Sequence, residues 1–269
     1  MVILSIWLKI LKGMRFMNKI IIDNNILGDY KDSNIEISVN KIKFISSGKY
    51  TIEVINSSLV KLDIEVLDNI DIKLVIFSCN NNLEVNNHYI IGKNSNLNIY
   101  KFYYNKNVNE NIIVDLNGEK SCINYKFSSI SRGVEEYHII VNHNHHNVSS
   151  RISNKCVGLD NSSIKLVIDS VLDKGNIDCI MDQNSRILAL GDMDACIIPN
   201  MFIGEDSVNA RHGSVIGKIS DEDIFYLMSR GISESDAINL VVKGLIISNL
   251  DLDMELRAKI FECLQEIKR

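Results

Sequence analysis

The sequence predicts a mainly β chain that closes in a short helical domain. Three observations predict it. Runs of alternating or β-branched residues fill most of the region from Lys19 to Val215. Turn signals separate those runs at intervals of about 8–12 residues. Helical periodicity is nearly absent until Ser220, where the pattern switches.

The first stretch, MVILSIWLKILKGM, is a short apolar run broken by Lys9, with basic residues after it rather than before. It lacks the charge order and cleavage site of a signal peptide and is too short to span a bilayer. Residues 1–18 are therefore expected to form an extension with no membrane role. The β-type runs follow: IEISV, KIKFI, YTIEVI, VKLDIEVL, IDIKLVIF, LNIYKFYY, NIIVDL, INYKFSSI, YHIIV, SIKLVIDSVL, NIDCIMD and SRILAL. Turn signals such as SSGKY, CNNN, GKNSN, NGEKS and DKGN stand between them. On the residues alone this fits a sandwich, a barrel or a β-solenoid equally well. Asparagine is very frequent, and it tolerates the left-handed conformation, so it can replace glycine at strand corners.

A strand ending near Val208 is expected to lead into two short helices. Ser220 with Asp223 reads as an N-cap, Asp221–Asp223 place negative charge on the helix's positive end, and Arg230-Gly231 reads as a stop. Ser233 with Asp236 repeats the start signal, and Gly244 is a soft point or early stop. Asp251 to Arg269 reads as an amphipathic helix with Leu252, Leu256, Ile260, Phe261, Leu264 and Ile267 on one stripe. That stripe is expected to pack on the two preceding helices.

A net charge of −5 over 269 residues argues against a protein that binds nucleic acid by neutralising phosphates. Six cysteines are well separated, without CxxC spacing, and most are expected in apolar strand patterns as small hydrophobes. Nothing resembles a secreted disulfide framework, so a reducing cytoplasm is expected. No GxxxxGK[ST] loop is present, so nucleotide hydrolysis must come from another chain.

The most specific wording lies between Val208 and Ile247. His212, Gly213, Gly217, Asp221, Glu222, Phe225, Tyr226, Leu227, Arg230, Gly231, Ile232 and Ala237 fall in the register of a C-terminal signature. It resembles that of the SufB/SufD family, core subunits of the SUF iron–sulfur cluster assembly system. A weaker match reaches back through Pro199 to about His138, and the chain is shorter than familiar members. The resemblance implies a right-handed parallel β-helix over residues 19–217 and a helical domain over 218–269. It also implies a non-enzymatic scaffold that binds the ABC-type ATPase SufC and pairs with a SufB-like subunit or a second copy. A cysteine desulfurase would supply sulfur, and a transient iron–sulfur cluster would form at a subunit interface. Phe225, Tyr226, Leu227, Arg230 and Gly231 are the expected partner-binding residues.

His212 is the first candidate for the cluster, since the matching histidine of SufD-type members is implicated at that interface. The His212-Gly213 pair resembles SufD rather than the His-Glu of SufB. His212 is expected at a strand-to-helix transition, with Gly213 allowing close backbone approach. The SufB cysteine position aligns near Asn184 or Ser185, neither a thiol. Cys179 and Cys196, on adjacent expected strands, are the nearest alternatives. In VNHNHHNVSS, a strand would put His143 and His145 on one face and His146 on the other, giving at most two imidazoles for a metal. Asp169, Asp173, Asp178, Asp182, Asp192 and Asp194 leave room for a second reading, a β-helix enzyme acting on carbohydrate. A third is a structural paralogue that binds no cluster.

Overall fold

A computed structural model of the chain describes residues 18–24, 26–27, 32–79 and 82–265. The extension expected over residues 1–18 lies outside the described residues except for its last position. The chain is a parallel β-solenoid, the arrangement implied by the family resemblance. Successive strands alternate between two sheets. One sheet carries nine strands, from Asn18–Asp23 and Ile26–Leu27 at one edge to Val208–Lys218 at the other. The second carries eight, from Ile35–Ser38 to Asp194–Ile203. Among the described residues, antiparallel pairing occurs only at the starting end, where each sheet opens with a hairpin. Every later pairing is parallel and in register. Ile99, Tyr125, Ile152, Gln183 and His212 form one continuous row across the nine-stranded sheet.

The alternation read in the sequence becomes an inside and an outside. In Asn107–Leu116 every second residue is buried, and the same holds in Val134–His143 and Ser163–Leu172. Ile, Val, Leu and aromatic side chains fill the space between the sheets. Tyr103 meets Phe127 edge-on, and Phe127 packs against Tyr137 at 4.6 Å between ring centroids. At the corners, seven of the nine described non-glycine residues with positive φ are asparagines: Asn24, Asn40, Asn56, Asn69, Asn94, Asn147 and Asn161. Asparagine amides also bond from turn to turn: Asn94 donates to Asn69 at 3.1 Å within this set, and Asn144 donates to Asn117 at 2.8 Å just beyond two strand ends. This explains how so winding a chain manages with few glycines.

Five strands were not among the expected runs: Asn18–Asp23, Ile26–Leu27, Asn82–Ile91, Ser149–Leu159 and Asp194–Ile203. The strand expected to end near Val208 instead begins there and runs to Lys218.

Three helices follow among the described residues. The first, α1 (Asp221–Ser229), is capped by Ser220, whose hydroxyl accepts the amide of Asp223, and Gly231 closes it at φ +85°. The second, α2 (Glu234–Ile247), is capped by Ser233 in the same way and passes through Gly244 without stopping. The third is α3 (Met254–Gln265). Ile238, Val242, Ile246, Leu256, Ile260 and Leu264 of α2 and α3 pack with Val75, Phe102, Tyr104, Ile130, Val157 and Leu188. The stripe expected to pack on the two preceding helices instead covers, with α2, the outer face of the nine-stranded sheet. Phe261 remains partly exposed, and Ile267 lies outside the described residues. Polar contacts reinforce the docking: Lys73 with Asp251 at 2.6 Å, and Lys259 with Glu53 at 2.5 Å.

Candidate functional site

The last strands of the solenoid carry His212 and Cys196, while the other candidate metal ligands and the partner-binding residues lie elsewhere. Val208–Lys218 and Asp194–Ile203 are the last strands of their sheets, so each leaves one row of backbone groups unpaired by a further strand. The inward side chains of this last turn (Ala195, Ile197, Met201, Val208 and Ala210) are only partly covered. Phe202, Val215 and Ile216 are half exposed or more. An apolar, strand-edged end of this kind is a surface that a second β-solenoid could continue.

His212 lies inside that edge strand, opposite Gln183, and not at the strand-to-helix transition expected from its neighbours. It is exposed. Beside it Arg211 donates to Asp182 at 2.6 Å, which holds the Arg211 guanidinium protonated more firmly than usual. Gly213 has no atom within 4 Å of a would-be Cβ, so no close approach inside this chain requires glycine there. Asn184 faces outward opposite Gly213, and Ser185 faces the interior, where its hydroxyl meets the Asn154 amide at 3.1 Å.

The two cysteine candidates are not brought together with it. Cys179 is buried where its strand begins, with its thiol near the carbonyl oxygens of His145 and Asn176 at 3.4 Å each. Burial pushes that thiol's pKa up, which opposes the thiolate needed to hold iron. Cys196 is exposed on the eight-stranded sheet, so the two cysteines do not lie on neighbouring strands of one sheet. The histidine run is also rearranged. Its strand stops at His143, and His145 and His146 sit in the corner that follows, their rings 4.1 Å apart. His143 points inward, its Nδ1–H donating to the Val171 carbonyl at 3.0 Å while Nε2 accepts from Ser150 at 2.9 Å. Burial lowers its pKa to about 4 and keeps it neutral. No group of three or more His, Cys, Asp or Glu residues among those described is arranged to hold a metal ion.

Three of the candidate aspartates, Asp169, Asp178 and Asp182, have structural partners. Asp169 accepts from Asn200 and meets His138, repeating the contacts of Asp115 with Asn142 and His88 two turns earlier. Asp178 occupies a left-handed corner and accepts the Ser207 hydroxyl.

The interior holds a polar group that the sequence reading missed. Lys101, Tyr103 and Tyr125 converge on the carboxylate of Glu110, each at 2.8 Å, and all four are fully buried. Burial pulls the Lys101 pKa down, against the opposing pull of Glu110. Burial, then the Glu110 charge, pushes the Tyr103 and Tyr125 phenols up, so they remain hydrogen-bond donors. Further along, Glu135 Oε2 accepts from Ser129 at 2.8 Å and Tyr137 at 2.9 Å, while Oε1 has no partner. Burial raises the Glu135 pKa to about 7, against the pull of those two hydroxyls. Burial likewise raises the neighbouring Cys156 thiol. A signal was present: Lys101, Glu110 and Glu135 stand on the same parity as Ile99, Ile112 and Ile139, which face inward.

Comparison with known proteins places this architecture. Residues 63–245 match the family model described as SUF system FeS cluster assembly, SufBD core domain. The chain belongs to the SufBD family of iron–sulfur cluster assembly proteins. It is 33% identical over 101 residues to an iron–sulfur cluster assembly SufBD family protein of Pyrococcus horikoshii, covering 35% of this chain and 21% of that one. It is 38% identical over 76 residues to the iron–sulfur cluster assembly protein SufB of Bacillus subtilis, covering 27% and 15% of the two chains. A SufBD family protein of Methanocaldococcus jannaschii is 26% identical over 122 residues, 44% of this chain and 37% of its own. These matches span well under half the length of the relatives. Among the described residues of this SufBD chain, no helix is long and apolar enough to cross a membrane.

Proposed function

We propose that this SufBD chain is a non-catalytic scaffold or partner subunit in iron–sulfur cluster assembly. It docks an ABC-type ATPase of the SufC kind through its C-terminal helices. It pairs through the open end of the solenoid with a SufB-like subunit or a second copy of itself. The observation that carries this reading is the surface of α1. None of its residues is buried, and Phe225, Tyr226 and Met228 are 74%, 57% and 45% exposed. A helix held by two good caps yet displaying aromatic side chains to solvent is suited to an apolar groove on another protein. The His212-Gly213 pair and the absence of a thiol at Asn184 and Ser185 favour a SufD-like role, in which the partner contributes the sulfur ligands. The cluster is then cargo, met by the exposed His212 imidazole at the interface.

Co-purification with the cognate ATPase tests this, comparing wild type with Phe225→Ala/Tyr226→Ala. These side chains are exposed, so the variant should fold normally and lose the ATPase. Unchanged retention by the variant overturns the docking reading. Removing all the helices would be a poorer test, because it would bare the apolar face beneath α2 and α3.

A further inference from the structure

Cysteines expected to be scattered through the strand core include two that face each other at the surface. Cys79 follows the strand Asp71–Ser78, and Cys263 lies in the last turn of α3. They are 184 residues apart in sequence, yet their Sγ atoms are 3.2 Å apart. Both flanking elements are firmly held. Ser78 is buried and its carbonyl accepts the Tyr104 amide at 3.0 Å. Ile260 and Leu264, on either side of Cys263, are fully buried against the sheet. Cys79 is exposed and Cys263 half-buried, so a small reagent can reach the pair.

We propose that Cys79 and Cys263 form a reversible oxidation site, a dithiol that becomes a disulfide by exchange with a low-molecular-weight disulfide. The Cys79 thiolate attacks one reagent sulfur, the reagent S–S bond breaks, and one reagent thiolate leaves. Cys263 then attacks the Cys79 sulfur of the mixed disulfide and expels the second thiolate. The protein gives up two electrons and two protons, and the reagent is reduced to two thiols. Bond formation asks the sulfurs to approach by only about 1 Å. The product staples α3 to the body of the solenoid. The inference is independent of the proposed partners, because it is read on the isolated chain.

The test is incubation of the reduced full-length chain with oxidised glutathione, followed by intact mass and non-reducing peptide mapping. The expected result is loss of two hydrogens, a crosslink joining the peptides of Cys79 and Cys263, and a higher melting temperature that reductant reverses. Cys79→Ser and Cys263→Ser should each melt close to the reduced wild type. Each should carry a glutathione adduct on the remaining partner instead of the crosslink. Separate adducts on both wild-type cysteines, or a crosslink mapped to another pair, overturn the proposal.

Discussion

The side-chain amide of Asn249 donates to the carbonyl oxygen of Phe127 at 2.7 Å, across 122 residues of sequence. The same nitrogen reaches the Ser153 carbonyl at 3.0 Å, and Asn249 Oδ1 accepts the Ser153 hydroxyl at 2.8 Å. One buried residue in the link between α2 and α3 thus bonds to two neighbouring turns of the solenoid. Asn249→Ala would leave buried acceptors and a donor without partners, at a cost of about 2–4 kcal/mol. Denaturant unfolding should show that loss, and hydrogen exchange should show α2 and α3 losing protection first. A change below about 0.5 kcal/mol would mean that apolar packing alone docks the helices.

Glu135 predicts a pH dependence. Its pKa rises from the ordinary 4.5 to about 7 in the folded chain. The native state therefore keeps a proton that the unfolded chain gives up, so this contribution is present below pH 4.5 and is lost as pH rises to 7. Glu135→Gln keeps an acceptor for Ser129 and Tyr137 but cannot ionise. The variant should gain on the order of 3 kcal/mol over wild type between pH 4.5 and pH 8. Unfolding curves at the two pH values measure this difference, and a constant offset would sink the prediction.

The Lys101–Glu110 pair should behave as a buried unit. Lys101→Met alone strands the Glu110 carboxylate with only two phenol donors and should cost about 3–5 kcal/mol. Lys101→Met/Glu110→Gln removes both charges and should recover most of it. The coupling energy from the double-mutant cycle is the test. Additive single effects would show that the two charges do not support each other.

Strands whose inward positions are all Ile, Val or Leu, such as Leu59–Val66, were legible from alternation alone. Asn82–Ile91 and Ser149–Leu159 were not, because Asn87, Ser150 and Asn154 occupy buried positions that a hydrophobic pattern reads as surface. In Asp194–Ile203 the exposed end of the solenoid blunts the alternation, and Pro199 argues against a strand. The helix boundaries were legible because Ser220 and Ser233 cap them locally. Solenoid pairing is long-range, so no local rule distinguishes it from a sandwich, and the family resemblance supplied that step. The same holds for Cys79 and Cys263, whose meeting depends on where the last helix lands.

The docking of the helices also has a consequence for synthesis. Glu53 waits for Lys259, and Lys73 waits for Asp251, partners made 206 and 178 residues later. As the chain leaves the ribosome, turns can stack one after another. Val75, Phe102 and Tyr104 nevertheless stay bare until residues 238–264 have emerged. The nascent solenoid therefore presents a sticky apolar wall until those residues appear, a natural binding surface for a chaperone, and α2 and α3 are its permanent replacement.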